Sequence, residues 1–331
     1  MHRHRALPRV PCVVGVPTGP APGHGVAVLG VLGGRWGLCP AAALAFASPW
    51  HLEPELATRW RQRGCPCRSV CARCAPPCAR FATRVVTRAG GFVGLLRYAV
   101  AETLDALAIA EAADRPGRPL LGRGDVVLLE LQSRAGPEVP GGGPVDLDPE
   151  IASAVARLVA RGLVVVAAAG NAALDLDVHP DPASGALLVG AAAATPGPGG
   201  SRSVRQRHGQ RSATGRRVDV HAFGEAVPTL GGGPSTRDAW GRFEAFGGTS
   251  AAAAIVAAAV VVLQSARPAG TPPLDTAAMR RLLVTTGGPA AHDPRPQAPR
   301  AGGPRPDLVG PWVDVAAALT RLRGDPTTEI G

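Results

Sequence analysis

Compact apolar runs and amphipathic stretches alternate along the second half of the chain. Residues 125–132 (DVVLLELQ) and 163–168 (LVVVAA) are apolar runs of the kind expected of strands buried on both faces of a sheet. The segment between them has a helical period. Strand, helix and strand in this order predict a right-handed parallel unit. We therefore expect an α/β fold with a mostly parallel central sheet flanked by helices.

The segment between these two strands carries its own start and stop signals. Asp148 is a suitable N-cap, Pro149 suits the first helical position, and Gly162 ends the pattern. The residues of its apolar stripe are Ile151, Val155, Leu158 and Val159. The pattern predicts one amphipathic helix that packs against the sheet.

The composition weakens the argument that the high positive charge indicates a nucleic-acid partner. The 331 residues carry a net charge of +10, but all 35 basic residues are Arg, which is typical of a GC-rich coding bias. The Arg-rich residues 201–217 lack interleaved aromatics for stacking on bases, and we expect them to form a solvated loop. Aromatic residues make up 4% of the chain, so the core must be built from Ala, Val and Leu. Nucleic acid is not an expected partner.

Targeting signals are not evident in this sequence. The longest apolar run, residues 251–263, is shorter than the roughly 20 residues needed to cross a bilayer. The first residues are basic, but Pro interrupts the apolar stretch that follows and no small-residue cleavage site ends it. We expect neither a membrane span nor a signal peptide, and the compartment and oligomeric state stay open.

Three motifs contain residues suited to nucleophilic catalysis. His24 lies between two glycines before an apolar stretch, Asn171 follows the second buried strand, and Ser250 precedes a long Ala and Val helix. Asn171 is the only Asn of the chain, although Asn is also a common turn residue. A Ser at a helix start can be a simple N-cap, and a lone His is usually structural. Each motif alone therefore has an ordinary structural explanation.

The three motifs in this order resemble the subtilisin-like serine peptidases. Further segments resemble conserved stretches of that family, namely GLCPAAALAFAS, DVVLLELQS, SATGRRVDVHAFGE and LDTAAMRRLLVTTG. The similarity covers roughly residues 13–50 and 92–323. The resemblance implies a three-layer α/β architecture and a serine endopeptidase that acts on peptide or protein substrates without a cofactor.

The resemblance also implies a role for each candidate residue. His24 would remove the proton of the Ser250 hydroxyl, which attacks the peptide carbonyl and forms an acyl-enzyme. Asn171 and the Ser250 backbone N–H would hold the oxyanion. Leu131, Gln132 and Ser133 would line the specificity pocket. We expect no metal site, because Asp175 and Asp177 are interpreted as surface turn residues.

This sequence departs from the family pattern at four places. Val26 stands where the family has Thr or Ser, Ala254 where it usually has Pro, and Ala258 where it usually has Gly. The fourth departure concerns the triad Asp, which belongs on a strand upstream of the His. Residues 1–23 contain no Asp or Glu. We therefore expect an incomplete triad, weak or absent activity, and an incomplete fold whose sheet has an open edge.

The sequence divides into four parts. Residues 9–50 and 92–323 form the subtilisin-like domain, residues 53–91 a Cys- and Arg-rich insert, and residues 324–331 a tail. The cysteines of the insert are Cys65, Cys67, Cys71, Cys74 and Cys78. Zinc binding, disulfides and an irregular segment all remain open for them. Two other functions also stay open: a catalytically dead subtilisin-like binding domain and a Cys-rich metal or nucleic-acid module.

Overall fold

The structure is a computed structural model. It describes residues 11–15, 24–32, 38–39, 43–47, 100–101, 104–105, 108, 111–112, 115–119, 121–133, 141–197, 200–205, 212–230, 243–268, 270–288 and 309–324. The interpretations of the Cys- and Arg-rich insert, residues 53–91, and of the tail, residues 324–331, lie outside the described residues apart from residue 324.

A seven-stranded sheet forms the centre of the fold. Its strands are β1 Pro11–Gly15, β2 Ala43–Ala47, β5 Val126–Leu129, β6 Val164–Ala168, β7 Leu187–Gly197, β8 Gly200–Arg205 and β9 Val220–Phe223. They follow the order β2-β1-β5-β6-β7-β8, and β9 also pairs with β7. All of these pairings are parallel except that of β7 with β8. The predicted mostly parallel α/β sheet is confirmed.

Two small antiparallel pairs lie outside this sheet in the part of the chain that the structure describes. One joins β3 Glu111–Ala112 to β4 Arg115–Pro119, and the other joins β10 Val227–Leu230 to β11 Phe243–Phe246. The second pair directly precedes the helix that contains Ser250. It contacts the helix that begins at His24, where the Thr229 hydroxyl donates to the Ala27 carbonyl.

Helices cover both faces of the sheet. They are α1 His24–Leu32, α2 Pro149–Ala160, α3 Gly248–Ser265, α4 Thr276–Thr286 and α5 Val315–Gly324. Asp148 caps α2 as predicted, since its carboxylate accepts from the backbone N–H groups of Glu150 (3.0 Å) and Ile151 (3.4 Å). Helix α3 is long and apolar enough to cross a membrane, but most of it is buried inside the protein, as the central helix of a packed core would be.

Alternating strand residues separate the core into two layers. Val126 and Leu128 of β5 face one layer, which contains apolar residues of α1, α3, α4 and α5. Val127 and Leu129 face the other layer, which contains apolar residues of α2. This period of two assigns each residue at the end of β5 to one face of the sheet. The helices that contain His24 and Ser250 lie on the same face.

Two expectations from the sequence are corrected. The strand upstream of His24 is present, because β1 pairs with β2 on one side and β5 on the other. The sheet is therefore not left open at that position, although β1 contains no carboxylate. The Arg-rich segment is not wholly a loop either, because Ser201 to Arg205 pair with β7 in an antiparallel hairpin.

Candidate active site

Ser250 lies in the first turn of α3 and is 4% exposed. The chain enters this turn through Gly247 and Gly248. Gly248 has φ +82°, a left-handed backbone that favours glycine, and its N–H donates to the Gly224 carbonyl at 2.8 Å. The helix has no side-chain N-cap from Gly247. Ser250 is therefore held near the positive end of a helix dipole, where negative charge is stabilised.

The side chain of Asn171 is fixed by the residue before Ser250. Its Oδ1 accepts from the Thr249 backbone N–H at 2.8 Å and from the Thr249 hydroxyl at 3.1 Å. The Thr249 hydroxyl in turn accepts from the Gly170 N–H at 3.1 Å. Because Oδ1 is held by Thr249, the Nδ2 group of Asn171 keeps its two hydrogens for other acceptors. The arrangement positions a side-chain donor next to the Ser250 turn.

Gly170 allows the backbone before Asn171 to approach a neighbouring loop. Its φ is +98°, and a Cβ at this position would lie 2.2 Å from the Gly142 carbonyl oxygen. That same oxygen accepts from the Asn171 N–H at 2.9 Å. A residue other than glycine at position 170 would therefore be strained and would push Asn171 away from this loop.

Gln132 and Ser133 form one wall beside Asn171. The Ser133 N–H donates to the Gly143 carbonyl at 2.9 Å, and the Gly142 N–H donates to the Ser133 carbonyl at 2.8 Å. The Gln132 side-chain oxygen accepts from the Asn171 N–H at 3.4 Å. The third pocket candidate, Leu131, is 3% exposed and packs in the α2 layer. Gln132 and the backbone of this wall are thus the parts nearest to Asn171.

Glu130 is a further residue at this site that was not predicted from the sequence. It follows β5 on the side of Val126 and Leu128, is 2% exposed, and lies beside Ser250. Burial raises the pKa of Glu130 well above its ordinary value, and the nearby Ser250 hydroxyl opposes this by lowering the pKa. Neither carboxyl oxygen has a hydrogen bond of ordinary geometry within the described residues. A single acid in an otherwise apolar strand was the available sequence signal.

His24 begins helix α1, and α1 packs against α3 on the same face of the sheet. The position of the His24 side chain is not described, so the structure brings together Ser250, Asn171 and Glu130 and places only the backbone of His24. In the sheet, Gly15 at the end of β1 pairs in register with Leu129. The carboxyl ends of β1, β5 and β6 therefore meet at the edge where ligands of such sheets bind.

Acidic residues elsewhere in the described part of the chain do not assemble a cation site. No group of three or more His, Cys, Asp or Glu is close enough there to hold a metal ion. Asp175 caps a short 3-10 turn by accepting from the Asp177 N–H at 3.1 Å, and Asp177 accepts from the Arg216 N–H at 2.8 Å. These two carboxylates organise a turn.

Comparison with known families finds the subtilase family. Its profile matches residues 134–306, which are more than half of the chain and include Asn171 and Ser250. No curated protein matches the chain at a significant level.

Solved structures share the fold at low sequence identity. The patellamide maturation protease PatA is 17% identical with a TM-score of 0.51, over 95% of this chain and 97% of that chain. The A-subunit of the AB5 toxin from E. coli is 16% identical with a TM-score of 0.53, over 95% and 93% of the two chains. At these identities the likeness establishes the architecture.

Proposed function

Because the chain belongs to the subtilase family of serine peptidases, we propose that it is a serine endopeptidase in which Ser250 is the nucleophile. The Ser250 Oγ attacks a peptide carbonyl, an acyl-enzyme forms, and water hydrolyses it. The substrate is a peptide or protein, and the chemistry of Ser, His and Asn side chains requires no cofactor. Gln132, Ser133 and the backbone around Leu131 form the wall along which the peptide binds.

One observation supports this proposal most strongly, namely the pair of hydrogen bonds from Thr249 to the Asn171 Oδ1. They orient the carboxamide so that its Nδ2 group, together with the Ser250 backbone N–H, can donate to an oxyanion. Such a donor contributes through charge that develops in the transition state, and its removal costs roughly a hundred- to a thousandfold in rate. A simple turn Asn would not need this anchoring by the helix that contains the nucleophile.

His24 is proposed as the base that takes the Ser250 proton. Its helix lies on the correct face of the sheet and contacts the helix of Ser250. Residues 1–23 supply no carboxylate to orient His24 or to stabilise its imidazolium. Loss of the triad Asp costs on the order of ten-thousandfold in well-studied serine peptidases. We therefore expect slow turnover.

Labelling by a fluorophosphonate, together with hydrolysis of a chromogenic peptide, tests the nucleophile. We expect covalent labelling at Ser250 by mass spectrometry and its loss in Ser250→Ala. The matched control is Ser265→Ala, at the other end of the same helix, where the hydroxyl donates to the Val261 carbonyl at 2.8 Å. Labelling and hydrolysis that persist in Ser250→Ala contradict the assignment of the nucleophile.

The lack of a carboxylate in residues 1–23 favours a second function, a catalytically dead subtilase that binds peptides. The two functions differ in one measurement. A dead domain would be folded, would bind a peptide library with affinities that depend on Gln132, and would show no fluorophosphonate labelling at any pH. An active peptidase would be labelled at Ser250, even if turnover is slow.

A further inference from the structure

We propose that Glu130 is a catalytic residue that accepts the proton of the Ser250 hydroxyl. This inference rests on the proposed function, because it takes Ser250 as the nucleophile. It identifies a carboxyl group for a site in which residues 1–23 provide none. That carboxyl acts on the serine directly, and it takes the hydroxyl proton in place of the His24 base proposed above.

The alternation of side chains along β5 places Glu130 on the face of the sheet that is covered by α1 and α3. Val126 and Leu128 face the layer of α1 and α3, and Glu130 continues that alternation by one step at the carboxyl end of β5. Leu131 turns to the opposite layer. Glu130 thereby lies beside Ser250, whose hydroxyl acts on its carboxyl as a hydrogen-bonding group.

Among the residues that the structure describes, Glu130 has no structural partner. It is 2% exposed, and neither carboxyl oxygen has a hydrogen bond of ordinary geometry within the described residues. A buried carboxyl without partners destabilises a protein, and an ordinary core position would be filled by an apolar side chain. Its presence beside a nucleophile is characteristic of a functional site.

Few other charges act on this carboxyl. Helix α3 and strand β6 contain no titratable or charged residue, and β1 contains only Cys12, which pairs with Val126 at the far end of β5. Helix α1 contributes only His24. Protonation of Glu130 is therefore controlled mainly by its burial and by the Ser250 hydroxyl. Burial raises the pKa of Glu130, so its acceptor form, the carboxylate, becomes populated only as the pH rises.

The proposed step conserves atoms and electrons. The Oγ–H bond of Ser250 breaks and its proton moves to a Glu130 carboxylate oxygen, while the Oγ–C bond forms. The carbonyl electron pair moves to oxygen, where the Asn171 Nδ2 group and the Ser250 N–H hold it. When the intermediate collapses, the C–N bond breaks and the leaving nitrogen takes the proton from Glu130. A water molecule then repeats the sequence on the acyl-enzyme.

Three variants of the full-length protein test the proposal by their rates of fluorophosphonate labelling between about pH 5 and 9, the range in which such acceptors titrate. Glu130→Gln keeps the shape of the side chain and removes the acceptor, so we expect at least about a hundredfold loss. Glu130→Asp keeps a carboxyl and should restore part of the rate. Asp125→Asn is the matched control, because Asp125 lies at the opposite end of β5 and burial also raises its pKa, to about 6.

The pH profile distinguishes catalysis from packing. In the wild-type protein the labelling rate should rise with pH until Glu130 is ionised, and this rise should disappear in Glu130→Gln but persist in Asp125→Asn. A merely structural Glu130 would change the stability of the protein and leave the shape of the profile unchanged.

Infrared spectroscopy tests the contact between the Glu130 carboxyl and the Ser250 hydroxyl without any enzymatic turnover. At a pH below the rise of the labelling rate, the wild-type protein should show a protonated carboxyl band that Glu130→Gln removes and Ser250→Ala shifts. A band that Ser250→Ala leaves unchanged overturns the inference. Wild-type and Glu130→Gln proteins that are labelled at equal rates also overturn it, while the proposed function stands. A wild-type protein labelled no faster than Ser250→Ala overturns both.

Discussion

Thr249 holds the side-chain oxygen of Asn171 with two hydrogen bonds, from its backbone N–H at 2.8 Å and its hydroxyl at 3.1 Å. The two residues are separated by 78 positions in the sequence and come from different elements. The first turn of α3 thus contains Ser250, the proposed nucleophile, and, one residue earlier, the group that orients Asn171, the proposed oxyanion donor. Because Thr249 connects them, Ser250 and Asn171 are held in a fixed relative position, which favours preorganisation.

Replacing Thr249 by Val should reduce kcat more than it changes KM. The hydroxyl is lost, so Asn171 keeps one of its two anchors and the buried Gly170 N–H loses its acceptor. An unpaired buried donor costs about 1–3 kcal/mol, which thermal unfolding would detect. Thr249→Ser is the matched control, since it retains the hydroxyl and should stay near wild type in kcat. A Ser variant as slow as the Val variant would contradict this role of the hydroxyl.

Replacing Asn171 by Ala should lower kcat by roughly a hundred- to a thousandfold with a small effect on KM. The reason is that the Nδ2 donor interacts with charge that develops after the substrate is bound. Steady-state hydrolysis of a chromogenic peptide measures both parameters. An equal loss in substrate affinity would indicate instead that Asn171 contacts the substrate in the ground state.

Gly170→Ala should destabilise the protein and misplace Asn171. The φ of +98° costs an L-residue roughly 1–2 kcal/mol, and the new Cβ would meet the Gly142 carbonyl oxygen at 2.2 Å. Gly270→Ala separates the cost of the backbone strain from the cost of the clash, because Gly270 has φ +86° but a Cβ added there would have no atom within 4 Å. The free energy of unfolding from denaturant titration should fall clearly further for position 170 than for position 270. Equal losses would mean that the clash is relieved at no cost.

The sequence predicted the elements of the fold where local signals were strong. The cap at Asp148, the buried strands before Glu130 and Asn171, and the apolar helix that begins beside Ser250 all follow from residue patterns that depend on near neighbours. Hydrophobic periodicity and capping are such local properties. They also sufficed to place the carboxyl ends of the strands at one edge.

The remaining features depend on contacts between distant segments. No local pattern indicates that β1 inserts between β2 and β5, since Pro11–Gly15 is short and apolar like many edge strands. The contact of Glu130 with Ser250 joins residues 120 positions apart in the numbering, and was hidden because an acid in a strand is usually interpreted as solvent-facing. Strand alternation, applied from Val126 onward, would have assigned Glu130 to the face of Val126 and Leu128, but not to a contact with Ser250.

The buried residue His221 should make stability depend on pH in the acidic range. Its Nδ1 lies 3.0 Å from the Gly310 carbonyl oxygen, to which it donates, and its ring meets Trp312 edge-on at 5.3 Å. The Nε2 atom is buried without a partner in the described part of the chain. Burial is the main cause that lowers the pKa of His221 from 6.5 to about 4, and hydrogen bonds to the backbone oppose it.

The direction in which stability changes with pH follows from proton binding by His221 in the folded and unfolded states. Between pH 6.5 and about 4 the unfolded chain takes up a proton at this position and the folded protein does not, so stability falls as the pH falls through this window. The full loss is about 3 kcal/mol once the pH is below the folded value. Asp125 acts in the opposite direction, because its pKa is raised from 3.8 to about 6 and stability then falls as the pH rises through that range.

The two contributions overlap between pH 4 and 6, so variants are needed to separate them. We expect that His221→Phe, which keeps an aromatic ring beside Trp312, flattens the acid-side loss of stability even though it also loses the Gly310 hydrogen bond. Asp125→Asn should steepen that same loss, because it removes the opposing contribution. Urea unfolding at several pH values measures the slopes, and slopes are compared because each variant also changes the absolute stability. If His221→Phe keeps the wild-type slope, His221 binds its proton as readily in the folded protein as in the unfolded chain, and burial does not lower its pKa.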